Sequence, residues 1–155
     1  MQVYADGKGW LKDPGGVHDA PPEMLKDFQA GVWRDPLALL RAAGTGQVTA
    51  KLLPDESKDG RAVKVLAVSN DIVANVRLFF DAQHGELVRI GYDGRGQNGA
   101  LYTEEVFDDF RRVDGVGVPF KASIVRGGRV ILERVLTDVR INPVITPDTF
   151  ARPAR

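Results

Sequence analysis

Residues 106–135 read VFDDFRRVDGVGVPFKASIVRGGRVILERV, and this stretch decides the fold. Its apolar and β-branched runs are broken at Asp114-Gly115 and Gly127-Gly128, dipeptides that reverse a chain with positive φ at little steric cost. Val106 and Phe110 against Phe107 and Val113 open one strand, and Val118, Phe120, Ala122 and Ile124 define the next. The run Val130 to Ile141 then reads as the longest strand of all, with Ile131, Val135, Val139 and Ile141 on one side and Val130, Leu132 and Leu136 on the other. Working outward, His84-Gly85 is a further break, so the train of hairpins extends from Arg61 to Pro143. In Arg61 to Ser69 both faces are largely apolar, which predicts a strand covered on both sides. Val76, Leu78 and Phe80, and then Val88, Ile90 and Tyr92, give strands with one drier face.

Upstream, Gln2 to Leu11 reads as a hairpin turning at Asp6-Gly7, and Asp13-Pro14-Gly15-Gly16 and Ala20-Pro21-Pro22 read as loop punctuation. Glu23 to Ala30 places Met24, Leu25 and Phe28 on one side of a short amphipathic helix. Asp35-Pro36 is an N-cap followed by proline at the first helical position, Leu37, Leu40 and Ala43 follow at helical spacing, and Gly44 is a stop. Val48 to Leu53 reads as a strand ended by Pro54, and Asp55 to Gly60 as a polar turn. Seven to nine sequentially paired strands and two helices cannot make the crossovers of a parallel sheet, so the class is α+β. The expected architecture is a strongly curved antiparallel sheet, an open half-barrel or closed barrel, with two short helices against its concave face.

Composition bounds the function. A chain of 155 residues with 43% hydrophobic content is the size of one domain. With 21 basic and 21 acidic side chains there is no net field to gather nucleic acid or an anionic membrane surface. Cysteine is absent, which removes disulfides, thiolate metal sites and cysteine nucleophiles. No apolar stretch has the length of a membrane-spanning helix. The chain begins on a strand, so the expectation is a single domain over residues 1–155 that lacks its first strands and any targeting signal.

Few residues suggest chemistry. Gly94-Arg95-Gly96-Gln97-Asn98-Gly99 matches the spacing of a dinucleotide-binding loop, but Ala100 to Val113 reads as a strand where phosphate binding needs a helix N-terminus. His18 and His84 each lie beside turn residues without a second metal ligand at suitable spacing. The pairs Glu104-Glu105 and Asp108-Asp109 point to opposite strand faces, with Arg111 and Arg112 near enough to neutralise them. Ser57, Ser69 and Ser123 lie in no nucleophile-elbow pattern. The expectation is a protein without catalytic residues, metal or cofactor. The helical set of Met24, Leu25, Phe28, Trp33, Leu37 and Leu40 either seals a core or lines an apolar cavity.

Phe110 to Lys121, Gly127-Gly128-Arg129, Glu133, Val139 to Pro143 and Pro147-Asp148-Thr149-Phe150 together resemble the C-terminal end of the outer-membrane lipoprotein-sorting superfamily of the carriers LolA and LolB. Similar domains also occur attached to insulinase-type zinc peptidases. Tyr4-Ala5-Asp6-Gly7-Lys8-Gly9-Trp10 and Asp35-Pro36-Leu37 fit the same group. The resemblance implies an open half-barrel closed by helices, on the periplasmic or cell-envelope side, carrying a lipid or an acylated protein in an apolar cavity. Trp10, Met24, Leu25, Phe28, Trp33, Leu37, Leu40 and Phe120 are the expected cavity wall. The competing expectation is a structural or interaction domain of an envelope assembly or larger peptidase, with a filled core and no ligand. A small hydrolase or isomerase with a cone-like sheet would need a titratable cluster in a pocket.

Overall fold

A computed structural model describes residues 1–58, 60–96 and 99–152. The chain opens with three short strands, β1 (Gln2–Ala5), β2 (Lys8–Asp13) and β3 (Gly16–Asp19), which form an antiparallel meander. Two helices come next, α1 (Pro22–Arg34) and α2 (Pro36–Gly44). Seven further strands are β4 (Thr49–Lys58), β5 (Arg61–Ser69), β6 (Val76–Asp81), β7 (Leu87–Gly96), β8 (Gly99–Val113), β9 (Val116–Arg126) and β10 (Arg129–Val135), and a 3-10 turn spans Pro147–Phe150. They pair in strict sequence order from β10 to β4, every pair antiparallel, and β4 does not meet β10. The class is α+β with an open sheet, as expected.

The turns are built as their residues dictate. Asp6-Gly7 joins Ala5 to Lys8 with φ of 50° and 76°, Asp114-Gly115 joins Val113 to Val116 with 48° and 83°, and Gly127-Gly128 joins Arg126 to Arg129 with 54° and 74°. Two consecutive positive φ values give the turn whose twist matches that of the flanking strands. The β6–β7 connection is longer, and Asp81 organises it: its carboxylate accepts from the backbone N–H of Gln83 and His84, at 2.9 and 2.7 Å. The His84 amide is the main reason this carboxyl is held below its ordinary pKa. At Asp35 the same chemistry caps α2, the side chain accepting from Leu37 and Ala38 N–H at 3.0 Å each.

Several elements differ from the sequence expectation. Val17 is the one apolar residue in β3, which leaves no alternation to detect. β4 runs through Pro54 to Lys58, because it is an edge strand and its ladder with β5 shifts register between Leu53 and Glu56, where a residue without N–H is tolerated. Helix α1 extends four residues past Ala30 to Arg34. The longest strand is β8, and β10 ends at Val135 instead of continuing to Ile141. Beyond it, Leu136 N–H still donates to the Phe120 carbonyl at 2.8 Å, and the next residue of β9 is Pro119, which has no N–H to extend the ladder. All seven residues of β10 are exposed.

Glycine at position 9 marks the joint between the meander and α1. A Cβ there would lie 2.9 Å from Leu25 Cδ2, 3.0 Å from the Val3 carbonyl oxygen and 3.2 Å from Ala20 Cβ. Gly31, inside α1, has nothing within 4 Å of that position. The same substitution should therefore act with opposite sign: Gly9→Ala is expected to lower stability by about 1–3 kcal/mol through overpacking. Gly31→Ala should raise it by roughly 0.5–1 kcal/mol through lost chain entropy. Urea unfolding measures both, and an unaffected Gly9→Ala protein would contradict this packing.

Candidate functional site

Strand register separates the two faces of the large sheet. Leu66, Leu78, Ile90, Glu105 and Ile124 lie directly opposite one another across β5 to β9, and Val65, Phe79, Arg89, Val106 and Ser123 form the next row, on the reverse face. The first face is the helix-covered one. Leu39 of α2 packs there in one cluster with Val68, Val73, Val76, Leu78, Ile90, Phe107 and Ala122. Trp33 and Ala30 of α1, and Leu66, Phe80, Leu87, Tyr92 and Phe110 of the sheet, border it. Phe107 and Phe110 both reach this cluster although strict alternation would separate them; Asp109 between them has φ of 52° and re-aims the strand.

The helical layer rests on a narrow footing. Leu39 is 0% exposed and Ala42 is also buried, whereas no residue of α1 is fully buried. The guanidinium of Arg34 stands over the Tyr92 ring at 4.6 Å and adds one contact at the end of α1. Burial pushes the Tyr92 hydroxyl pKa up, and Glu105 adds to that.

The expected cavity wall is divided among four places. Trp10 is buried in the meander, its indole N–H donating to the Phe150 carbonyl at 3.3 Å. Leu25 meets Gly9 there, and the Phe28 ring lies 6.0 Å from that of Tyr4. Met24 is half-buried on the same helix. Trp33 alone of the helical set borders the sheet core. Phe120 is buried on β9 beneath the Arg111 guanidinium, 4.4 Å from the ring centre. Leu37 and Leu40 face outward, at 71% and 42% exposure, so the inward stripe of α2 is Leu39 and Ala42, not Leu37, Leu40 and Ala43.

The acidic pairs find partners that sequence proximity conceals. Arg89 donates to Glu104 at 2.7 Å across the β7–β8 ladder, and Arg134 reaches Glu105 at 2.7 Å from β10. Arg111 pairs with Asp109, while Arg112 donates to the Gly115 carbonyl instead of a carboxylate. His18 lies 3.5 Å from Asp13 and His84 3.0 Å from Asp81, each at an exposed turn. Among the described residues no group of three metal-ligating side chains converges. In the glycine pattern, Gly96 pairs with Gly99 across the β7–β8 hairpin; Gln97 and Asn98 lie outside the described residues. No helix among the described residues is long and apolar enough to cross a membrane.

Truncation separates the two stripes of α2. Leu39→Ala is expected to cost about 2–5 kcal/mol, as for a fully buried leucine. Leu37→Ala should stay within roughly 0.5 kcal/mol. Equal losses in denaturant unfolding would contradict the assignment of the inward face.

No protein-family model matches the chain, and no curated protein matches it. Among solved structures it is similar to a domain from Vibrio parahaemolyticus assigned to outer-membrane lipoprotein sorting, at 16% identity and a TM-score of 0.47, over 90% of this chain and 64% of that one. It is likewise similar to a LolA superfamily protein from Nitrosomonas europaea, at 16% identity and a TM-score of 0.48, over 90% of this chain and 66% of the other. The chain thus spans just under two thirds of the length of these solved structures.

Proposed function

We propose that this domain is a non-enzymatic binder of a lipid or a lipoprotein acyl chain in the cell envelope, taken up between the helices and the sheet. The observation that carries the reading is the mismatch between the two layers. The sheet presents Val68, Val76, Leu78, Ile90, Phe107 and Ala122 as one buried apolar surface, yet Leu39 is the one fully buried helical side chain that joins it. Burying a leucine is worth about 1.5–3 kcal/mol, and each acyl methylene about 0.8 kcal/mol. Roughly four methylenes placed on the sheet therefore offset withdrawal of Leu39. The helices act as a lid, closed in this structure, and the junction at Asp35-Pro36 gives it a break between α1 and α2. The resemblance of residues 110–121 and 139–150 to the lipoprotein-sorting superfamily supports the same chemistry.

The two tryptophans allow a direct test, because Trp33 borders the sheet core and Trp10 sits in the meander. Brominated fatty acid should quench emission in Trp10→Phe protein, where Trp33 remains, and leave Trp33→Phe protein bright. Native mass spectrometry after purification without detergent should show an added acyl mass. An apo mass together with unquenched Trp33 would overturn the proposal and favour an interaction domain. The seven exposed residues of the β10 edge, with Val130, Ile131, Leu132 and Val135 among them, are the observation on that side.

A further inference from the structure

The reverse face of the sheet carries its own apolar cluster of Val63, Val65 and Phe79, with Leu53 and Val88 packed against it. These side chains are buried although Leu39 lies on the other side, so the sheet covers them from within. Beside them a pocket of about 250 Å³ opens across β5 to β8. That volume exceeds the ~150 Å³ of a cavity that admits benzene and falls short of the ~300 Å³ at which drug-sized sites begin. Val63, Phe79, Val88, Val106 and Phe107 supply its apolar lining. Val88 is there because of an irregularity: Phe79 opposes Arg89 while Phe80 opposes Leu87, leaving Val88 as the extra residue of a bulge.

Three charged side chains complete the lining, Arg61, Arg89 and Asp108. Their charges are not equivalent. Arg89 is neutralised by Glu104 at 2.7 Å, and this pair is largely buried. Asp108 lies directly opposite Lys121 on β9 and helps hold that lysine's pKa up, though the main cause is the hydrogen bond from Lys121 to Glu133. Arg61 is exposed and has no ion pair among the described residues. It stands on β5 and Asp108 on β8, three strand spacings apart, about 14 Å at ~4.8 Å each. An anionic head is thus attracted to one side of the pocket and repelled from the other.

From this arrangement we infer that the reverse face is a second binding site, for a small amphipathic carboxylate whose apolar body lies on Val63, Phe79, Val88 and Val106 and whose head meets Arg61. The site shares only Phe107 with the cluster beneath the helices, and the inference does not rest on acyl binding there. The ligand is limited to a ring or a short chain by the volume, and its polarity is set by the opposed charges. A guanidinium suits the head, since it offers paired donors to a carboxylate.

Titration of isotope-labelled full chain with octanoate, read out by amide chemical shifts, tests the site. One set of shifts should centre on residues 61–63, 79, 88–89 and 106–108, whatever octanoate does on the helix-covered face. Octylamine and inorganic phosphate should produce no such shifts, one lacking the right charge and the other an apolar body. Arg61→Ala should weaken octanoate about tenfold, the loss of one charge-assisted hydrogen bond. Asp108→Asn should tighten it several-fold. Leu39→Ala, which disturbs the helix-covered face, should leave the octanoate affinity read at Arg61 and Val88 unchanged. Absence of shifts on the reverse face, shifts confined to the helix-covered face, or equal binding of octylamine would each overturn the inference. The middle outcome would still leave acyl binding under the helices standing.

Discussion

The packing of Leu39 into the apolar cluster of Leu78 and Ile90 is what holds the helical layer to the large sheet. An antiparallel sheet built from consecutive hairpins needs no helix to complete its hydrogen bonds, only to cover one apolar face. In this chain one leucine, bordered by Ala30 and Trp33, holds that cover. α1 is fixed more firmly to the meander, where Leu25 meets Gly9 and Phe28 meets Tyr4, than to the large sheet. The helical layer is therefore a strap between two sheets, seated at one point.

This asymmetry sets what each face can do. On the helix-covered face the apolar surface is larger than its anchors, and the proposed acyl chain would share that wall with Leu39. On the reverse face the sheet buries its own cluster and leaves an opening beside Val88, where the bulge disturbs the pleat. Polar groups there are paired across strands, Arg89 with Glu104 and Lys121 with Glu133, while Asp108 lies at the far side of the pocket from Arg61. Neither face places a nucleophile beside a base among the described residues.

What the sequence makes legible is what is local. Asp6-Gly7, Asp114-Gly115 and Gly127-Gly128 turn where they are read to turn, because positive φ is a property of two residues. Asp35 caps α2 for the same reason. The inward face of α2 is not legible: Leu37, Ala38, Leu39, Leu40, Ala42 and Ala43 are apolar all around the helix, so spacing cannot choose Leu39 over Leu37. The end of β10 is set by what β9 offers beside it, which no alternation in residues 130–141 encodes. The partners of Glu104 and Glu105 come from 15 and 29 positions away, through register. The cavity wall fails as one surface for a related reason, since Trp10 and Phe28 are claimed by the small meander, an element only partly visible in sequence.

Native-state hydrogen exchange addresses the central claim, that the helices are a separately opening cover on an independently stable sheet. Amides of α2 around Leu39 should exchange through an opening of lower free energy than those of β6 and β7 at Leu78 and Ile90, and an acyl ligand should widen that gap by slowing the strands further while α2 stays fast. Exchange of helix and strand amides at one common free energy, unchanged by any acyl chain, would contradict the account.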